Sequence, residues 1–486
     1  MVVKKMSRSK FSLLPKDEID DIHNATLEVL ENPGLEIHSE RALNILEKAG
    51  AKIDYEKKLA SIPEYLVKEA LKRAPKRVKY CARNPKYDFW LDKTSTHFTT
   101  DGQAIFIRDF ETGERRPSTN DDLARWTILA DYLSTVHVIW VSLTPTDVPE
   151  PMQRLTEFFT CLDNSEKHVE HGALGSKQAQ YAMEMAATIV GGKEELRKRP
   201  IISAIQCPIA PLKYEKESMD AAIEFAKGGI PVVILSMPLT GLSGPATIAG
   251  SLVINNAEVL GNVVISQFTN PGAPVIYGGC PGCIDFKTGS YVKGPETALL
   301  NAALTQLARY YDLPCEISGG SSSSKVPDAQ AAYERTMILT ITILSRPDIL
   351  CGLGALESAK TMCPEMLLID SEIIEAILRI ADGFEVNDYT LAVDIIRKVG
   401  PGGHFLAEKH TVDNILKEHW IPKISDRQPY DAWEKAGAKD IIKVAREKVK
   451  EILATHKPEP LPEDVRKEIL DLLKKYQNEV LKGKNN

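Results

Sequence analysis

The chain has little of what marks a membrane, secreted or nucleic-acid-binding protein. In its 486 residues no stretch of about 18 or more apolar residues runs unbroken. The most apolar segment, Pro245 to Phe268, is interrupted by Asn255, Asn256, Glu258, Asn262 and Gln267, so no membrane-spanning helix is expected. A basic excess is missing too: 60 Lys and Arg face 67 Asp and Glu, for a net charge of −7. That balance argues against nucleic acid or an anionic membrane as a partner. Met1 to Lys10 is basic, but no apolar core follows it, so no secretory signal is expected. Cysteines number only eight, and they read as reduced thiols of a cytoplasmic protein. No P-loop, no Gly-x-Ser-x-Gly elbow and no Gly-x-Gly-x-x-Gly after the first strand is present. With 43% hydrophobic and 26% charged residues, the bulk of the chain is expected to fold as an ordinary globular protein.

What is there changes character twice along the chain. Residues 1–95 read as an α-rich region. Ile19, Ile22, Leu27 and Leu30 keep helical spacing, Asn32-Pro33-Gly34 stops that helix, and Gly50 follows a second helix as a C-terminal cap. A third helix is expected from Ser61 as N-cap, with Glu64 completing a capping box. Across residues 96–360, eight short apolar runs alternate with amphipathic segments. The runs are 97–101, 136–143, 168–173, 201–206, 232–237, 274–279, 314–319 and 349–353. Strands alternating with helices imply parallel crossovers, and eight of them predict an α/β fold closed into a (β/α)8 TIM barrel, with a doubly wound sheet as the alternative. Residues 361–486 read as a C-terminal helical extension. It ends in a charged pair, 435–455 and 462–481, parted by Lys457-Pro458-Glu459-Pro460.

Barrel enzymes work from the carboxyl ends of their strands, so the residues predicted there are the candidates. In Lys167-His168-Val169-Glu170-His171, His168 and Glu170 share a strand face. His171 joins them only if the strand ends before it; otherwise one hydrogen-bonded rim histidine is expected. Cys280-Pro281-Gly282-Cys283 is either a half-site for zinc, completed by His171, or a pair of turn cysteines. Ser318-Gly319-Gly320-Ser321-Ser322-Ser323-Ser324-Lys325 is either an anion-binding loop after strand seven or a solvated connection. Paired carboxylates are scarce among the strand ends, which also offer Asp101 and Glu170; Glu316 and Glu357, from neighbouring strands, could supply a pair. A glycosidase needs such a pair, but only five tryptophans are available to line a sugar site. Phe106, Trp140, Phe268, Tyr291 and Phe405 are aromatics that loops would bring near.

Four segments carry a resemblance. They are ATLEVLENPGLEIHSERALNILEKAGAKID (25–54), GGSSSSKVPDAQAAYE (319–334), GPGGHFLAEKHTVDNI (400–415) and WIPKISDRQPYDAW (420–433). In order and spacing they resemble the trimethylamine methyltransferase superfamily, over nearly the whole stretch from Leu13 to Trp433. The resemblance implies a TIM-barrel enzyme that moves a methyl group from a methylated amine to a corrinoid protein. Founding members carry pyrrolysine. This sequence uses only the standard twenty residues, and so resembles the branch without it, similar to glycine betaine:corrinoid methyltransferases. That branch implies quaternary substrates such as glycine betaine, proline betaine or carnitine.

For a quaternary ammonium the resemblance suggests an aromatic cage from Tyr277, Phe106 and Phe268. Glu316 or Glu357 would balance its charge, and Ser318, Ser321, His171 and His404 would donate to a substrate carboxylate. Core packing, rim salt bridges and a capping loop are the competing roles for these residues. The chain itself is expected to hold no cofactor: the cobalamin corrinoid rides on a partner protein that docks over the barrel mouth. Homo-oligomerisation is implied by resemblance alone. Two alternatives stay open: a zinc-dependent methyltransferase to a thiol, using Cys280, Cys283 and a histidine, and a non-catalytic partner of the corrinoid protein.

Overall fold

The computed structural model of the protein describes residues 9–483. Its centre is a closed barrel of eight parallel strands: β1 (His97–Thr100), β2 (Val138–Trp140), β3 (His168–His171), β4 (Ile202–Gln206), β5 (Val232–Ser236), β6 (Val275–Gly279), β7 (Cys315–Ser318) and β8 (Ile349–Leu353). All eight fall within the predicted runs. Strands such as Val-Val-Ile-Leu-Ser of β5 are buried on both faces, the pattern parallel strands show when helices cover them. The eight outer helices are α1 (Asn120–Tyr132), α2 (Glu150–Asp163), α3 (Gly175–Val190), α4 (Lys216–Gly228), α5 (Ile248–Thr269), α6 (Pro295–Tyr310), α7 (Ala329–Ser345) and α8 (Pro364–Asp382). Local chemistry sets their starts. Thr119 and Asp122 form a capping box on α1, Asp328 caps α7, and Pro295 and Pro364 occupy first-turn positions that need no N–H donor.

Helix α5 is long and apolar enough by composition to cross a membrane, yet it lies in the outer ring with most of its surface buried. Its interrupting polar residues explain the placement, because each meets a protein group. Asn256 Nδ2 donates to Thr26 Oγ1 and Tyr311 OH, Glu258 accepts from Ser236 Oγ and Leu212 N, and Asn262 Nδ2 donates to Gln206 Oε1.

The N-terminal region holds the expected helices (Lys16–Glu31, Glu40–Ala49, Glu64–Arg73), but it is less purely helical than predicted. Leu35–Ile37, Lys52–Asp54 and Leu59–Ser61 pair into a sheet completed by Lys213–Tyr214 from the loop after β4. Ser61 is therefore the end of a strand and not a helix cap; Pro63 occupies the N-cap of the third helix. A hairpin, Val78–Tyr80 with Phe89–Leu91, enters the amino end of the barrel. There Val78, Tyr80 and Leu91 pack with Val138, Val233, Ile276 and Ile349, and Phe89 stacks on His97. At the carboxyl end two small sheets rise from the loops. One joins Phe106–Arg108, Arg115–Pro117, Ala355–Leu356 and Thr361–Met362; the other joins Leu239–Thr240, Gly282–Ile284 and Tyr291–Val292. Of the predicted C-terminal pair, the first helix starts later, at Ile441, because Gly437 and Ala438 take positive φ after a short helix, Tyr430–Lys435.

One ion pair holds the top of β8 to the helices outside it. Arg335 on α7 and Asp370 on α8 are both fully buried. Arg335 Nη1 donates to Asp370 Oδ2 at 2.7 Å, and the Gly354 amide donates to the same oxygen at 2.7 Å. Removing one partner leaves the other charge buried and uncompensated, at a cost of about 3–5 kcal/mol. Arg335→Met should therefore lower the denaturant midpoint markedly, and Arg335→Met/Asp370→Leu should recover most of the loss. A single variant that unfolds at the native midpoint would contradict this.

Candidate active site

Inward-facing positions alternate along the strands, and the lower lumen is apolar: Val138, Val233, Ile276 and Ile349. One step higher the barrel carries charge. Glu170 on β3 and Glu316 on β7 come from strands on opposite sides of the closed order and meet across the axis, both fully buried. Ser203 Oγ donates to Glu170 Oε2 at 2.7 Å, and Tyr80 OH, from the plugging hairpin, donates to it at 3.1 Å. Apart from the pair's own proton, no group among the described residues is placed to donate to Glu170 Oε1 or to either oxygen of Glu316. Burial pushes Glu170 up to about 7. Burial, together with the charge of Glu170, raises Glu316 well above the ordinary carboxylate range. Two carboxyls this close and this dry hold one proton between them, with Glu316 as its seat.

Around this pair lie Cys280 after β6, Cys351 on β8 and Cys207 after β4, each near enough to Glu316 for their charges to interact. Trp140 forms the wall on the β2 side. Gly102 makes its position possible, since a Cβ there would overlap the indole. On the β1 side Asp101 is buried, and burial raises its carboxyl despite the nearby Lys293 and Arg335. Lys293 Nζ donates to the Pro281 carbonyl at 3.1 Å, lies 3.7 Å from Cys280 Sγ and sits over the Tyr291 ring.

A cavity of about 360 Å³ opens beside Trp140, Ile205 and Cys207 and runs outward past Gln103, Arg154 and Gly172. Behind its wall His171 Nε2 meets Glu157 Oε2 at 2.6 Å, and Gln103 Nε2 lies 3.4 Å from His171 Nδ1. Burial lowers the His171 pKa, so the ring is neutral, donating from Nε2 and accepting at Nδ1.

The structure sorts the predicted residues. Glu316, Ser318 and Ser321 are buried at the carboxyl end of β7, and the Ser318 and Ser321 hydroxyls have no partner among the described residues. The rest of the serine loop is spent internally. The Gly319 and Gly320 amides bond the Cys351 carbonyl, and the Ser323 amide bonds Glu334. His171 does not face the lumen: β3 continues through it and its side chain points to α2. Tyr277 also points outward, donating to Asn256 on α5 at 3.0 Å, because Ile276 and Gly278 take the inward positions of β6. Phe268 lies on α5 under Arg73, outside the barrel. Phe106 lies in the sheet above the mouth and Glu357 just after its strand Ala355–Leu356, and both are engaged by Arg115: its guanidinium lies over Phe106 and its Nε donates to Glu357 Oε2 at 2.7 Å. His404 lies on an exposed loop of the C-terminal region. Cys280 and Cys283 diverge, Cys280 toward Lys293 and Cys283 toward Thr240 and Glu296, with His171 held elsewhere by Glu157. Among the described residues no group of three or more His, Cys, Asp or Glu is arranged to hold a metal ion.

Sequence reasoning passed over Glu170 and Trp140 as site residues, although both had been noticed near strand ends. It missed Tyr80, Gln103, Arg154, Glu157 and Lys293, which reach the site from a hairpin, a helix and loops far away in sequence.

A closed (β/α)8 barrel with an ionisable, partly unsatisfied pocket at its carboxyl end is the architecture of a barrel enzyme acting on a small molecule. The trimethylamine methyltransferase family model matches residues 2–480. A trimethylamine methyltransferase of Desulfitobacterium hafniense is 37% identical over 464 residues, covering 95% of this chain and 93% of the relative. A glycine betaine methyltransferase of the same species is 34% identical over 459 residues, covering 94% and 95%. The crystal structure of the monomethylamine methyltransferase of Methanosarcina barkeri aligns with TM-score 0.53 at 13% identity, over 92% of this chain and 89% of that one, which shows a shared fold. The chain belongs to the trimethylamine methyltransferase family.

The carboxyl pair has a pH signature. A carboxyl whose folded pKa exceeds its unfolded value of 4.5 favours the fold while protonated. That contribution is complete below about 4.5 and is lost as pH rises through about 7. Glu316→Gln removes the more strongly shifted member, so its melting temperature should fall less than the native protein's as pH rises through this window. An equally steep decline would contradict the shared-proton assignment.

Proposed function

We propose that the protein transfers one N-methyl group from a quaternary amine of the betaine type to the cobalt(I) corrinoid of a separate protein. The observation that carries this reading is the Glu170–Glu316 pair, buried in the barrel with three oxygens lacking donors from other groups among the described residues. Such a pair favours a cation, and Trp140 offers the aromatic wall that a quaternary ammonium prefers. Family membership supports methyl transfer, and the glycine betaine methyltransferase among the relatives supports the betaine class.

The transfer balances without a protein acid. Cobalt(I) supplies the electron pair for the new bond to the methyl carbon. The C–N pair stays on nitrogen, and the amine leaves neutral and tertiary. Trimethylamine at neutral pH is mostly protonated on nitrogen and needs an activation step that a quaternary amine does not. The chain's own work is to bind the cation, exclude water and aim one methyl out of the mouth. The diverging Cys280, Cys283 and His171 side chains weigh against the zinc–thiol alternative. Self-association belongs to the same reading, and the exposed Leu406, Val412 and Leu416 support it.

The test is methylation of cobalt(I) cobalamin, followed by absorbance, with glycine betaine, proline betaine, carnitine, choline and trimethylamine in turn. Turnover of a quaternary amine without turnover of trimethylamine is expected. Silence across the panel with an authentic corrinoid protein present would overturn the reading and favour the non-catalytic alternative.

A further inference from the structure

The mouth cavity is lined by Trp140, Ile205 and Cys207 and by charged residues, Arg154, Glu215, Lys216 and Glu217. Arg154 and Glu316 are both close enough to Cys207 to bear on its thiol. Glu170 and Glu316 do not line this cavity; Glu316 bears on it through Cys207, and the carboxyl pair suits an ammonium. Arg154, from the first turns of α2, stands in the cavity wall with Gln103.

Arg154 is held but not satisfied. Its Nη1 is buried with no hydrogen-bond acceptor, and Glu157 Oε2 stands 3.8 Å away, an electrostatic neighbour beyond bonding distance. Glu157 is fully buried and fixed by His171, which in turn faces Gln103. The relay Gln103–His171–Glu157–Arg154 thus keeps a guanidinium and an amide at the cavity while leaving an Arg154 donor free. A guanidinium with an unbonded donor in the wall of a small cavity, and the carboxyl pair within reach of Cys207 in the same wall, match a molecule that carries an ammonium and a carboxylate separated by a short linker.

We infer that Arg154 binds the substrate's carboxylate and selects zwitterionic amines over those that are only cationic, with Glu157 and His171 as positioning residues. This rests on the functional reading above and assigns to Arg154 the role that sequence analysis gave to the serine loop, His171 and His404.

The test measures binding by calorimetry on the full chain without any corrinoid, using glycine betaine and choline as probes. Loss of a charge-assisted bond predicts that Arg154→Ala weakens glycine betaine about ten- to hundred-fold. Choline affinity should stay within about two-fold, and added guanidinium should restore part of the loss. Arg154→Lys, which keeps the charge and most of the volume, should bind glycine betaine between native and alanine levels; it also guards against a folding defect, checked by melting temperature. Unchanged glycine betaine affinity in Arg154→Ala, or equal loss for both probes, would overturn the clamp while leaving the methyltransferase reading intact. A native protein that binds neither probe would overturn that reading and the clamp with it.

Discussion

The barrel is organised around two carboxyl groups that meet on its axis. Glu170 and Glu316 come from opposite strands, and their burial is tolerable only because they share a proton and because Ser203 and Tyr80 donate to the remaining charge. Tyr80 makes the amino-terminal hairpin more than a plug: it carries a hydroxyl from outside the barrel sequence into the lumen. Among the described residues the charge left over meets no counter-ion, since Lys293 is directed at Cys280 and the Pro281 carbonyl. On the proposed function, the substrate's ammonium would supply that counter-charge.

That constraint accounts for the chemistry the site leaves out. A group that already carries a positive charge on nitrogen needs a counter-charge, a dry pocket and a fixed direction. On the proposed function the residues at the mouth would supply these; His171 is turned away to α2, and no metal-binding cluster is found among the described residues. His168, which does face the lumen, is neutral: burial lowers its pKa to about 4, and it stacks on Tyr80 with Nδ1 donating to the Cys81 carbonyl. It belongs to the plug beneath the site.

Most of the fold was legible in the sequence because barrel strands buried on both faces read as short apolar runs, and their bounding glycines and prolines are visible. The same uniformity hid the orientation of side chains. In β6 both faces are apolar or glycine, so nothing local showed that Tyr277 points out and Gly278 in. In β3 the polar alternation did indicate Glu170, and only the unknown end of the strand left His171 open. Glu316 and Ser318 could be read from their period of two. Tyr80 and Arg154 could not, because a hairpin before the barrel and a helix after β2 reach the site only through tertiary packing. The short strands 35–37, 52–54 and 59–61 were missed for a related reason: three residues carry too little pattern, and their sheet is completed by Lys213–Tyr214, more than 150 residues downstream of the last of them.

The central claim is that the substrate's ammonium is held by the Glu170–Glu316 pair, which would then give up its shared proton. Infrared difference spectroscopy tests it directly at neutral pH, with the protonated carboxyl band assigned by its loss in Glu316→Gln. Saturating glycine betaine should diminish that band and release a proton to the buffer. A band unchanged by bound glycine betaine would place the cation elsewhere and contradict the account.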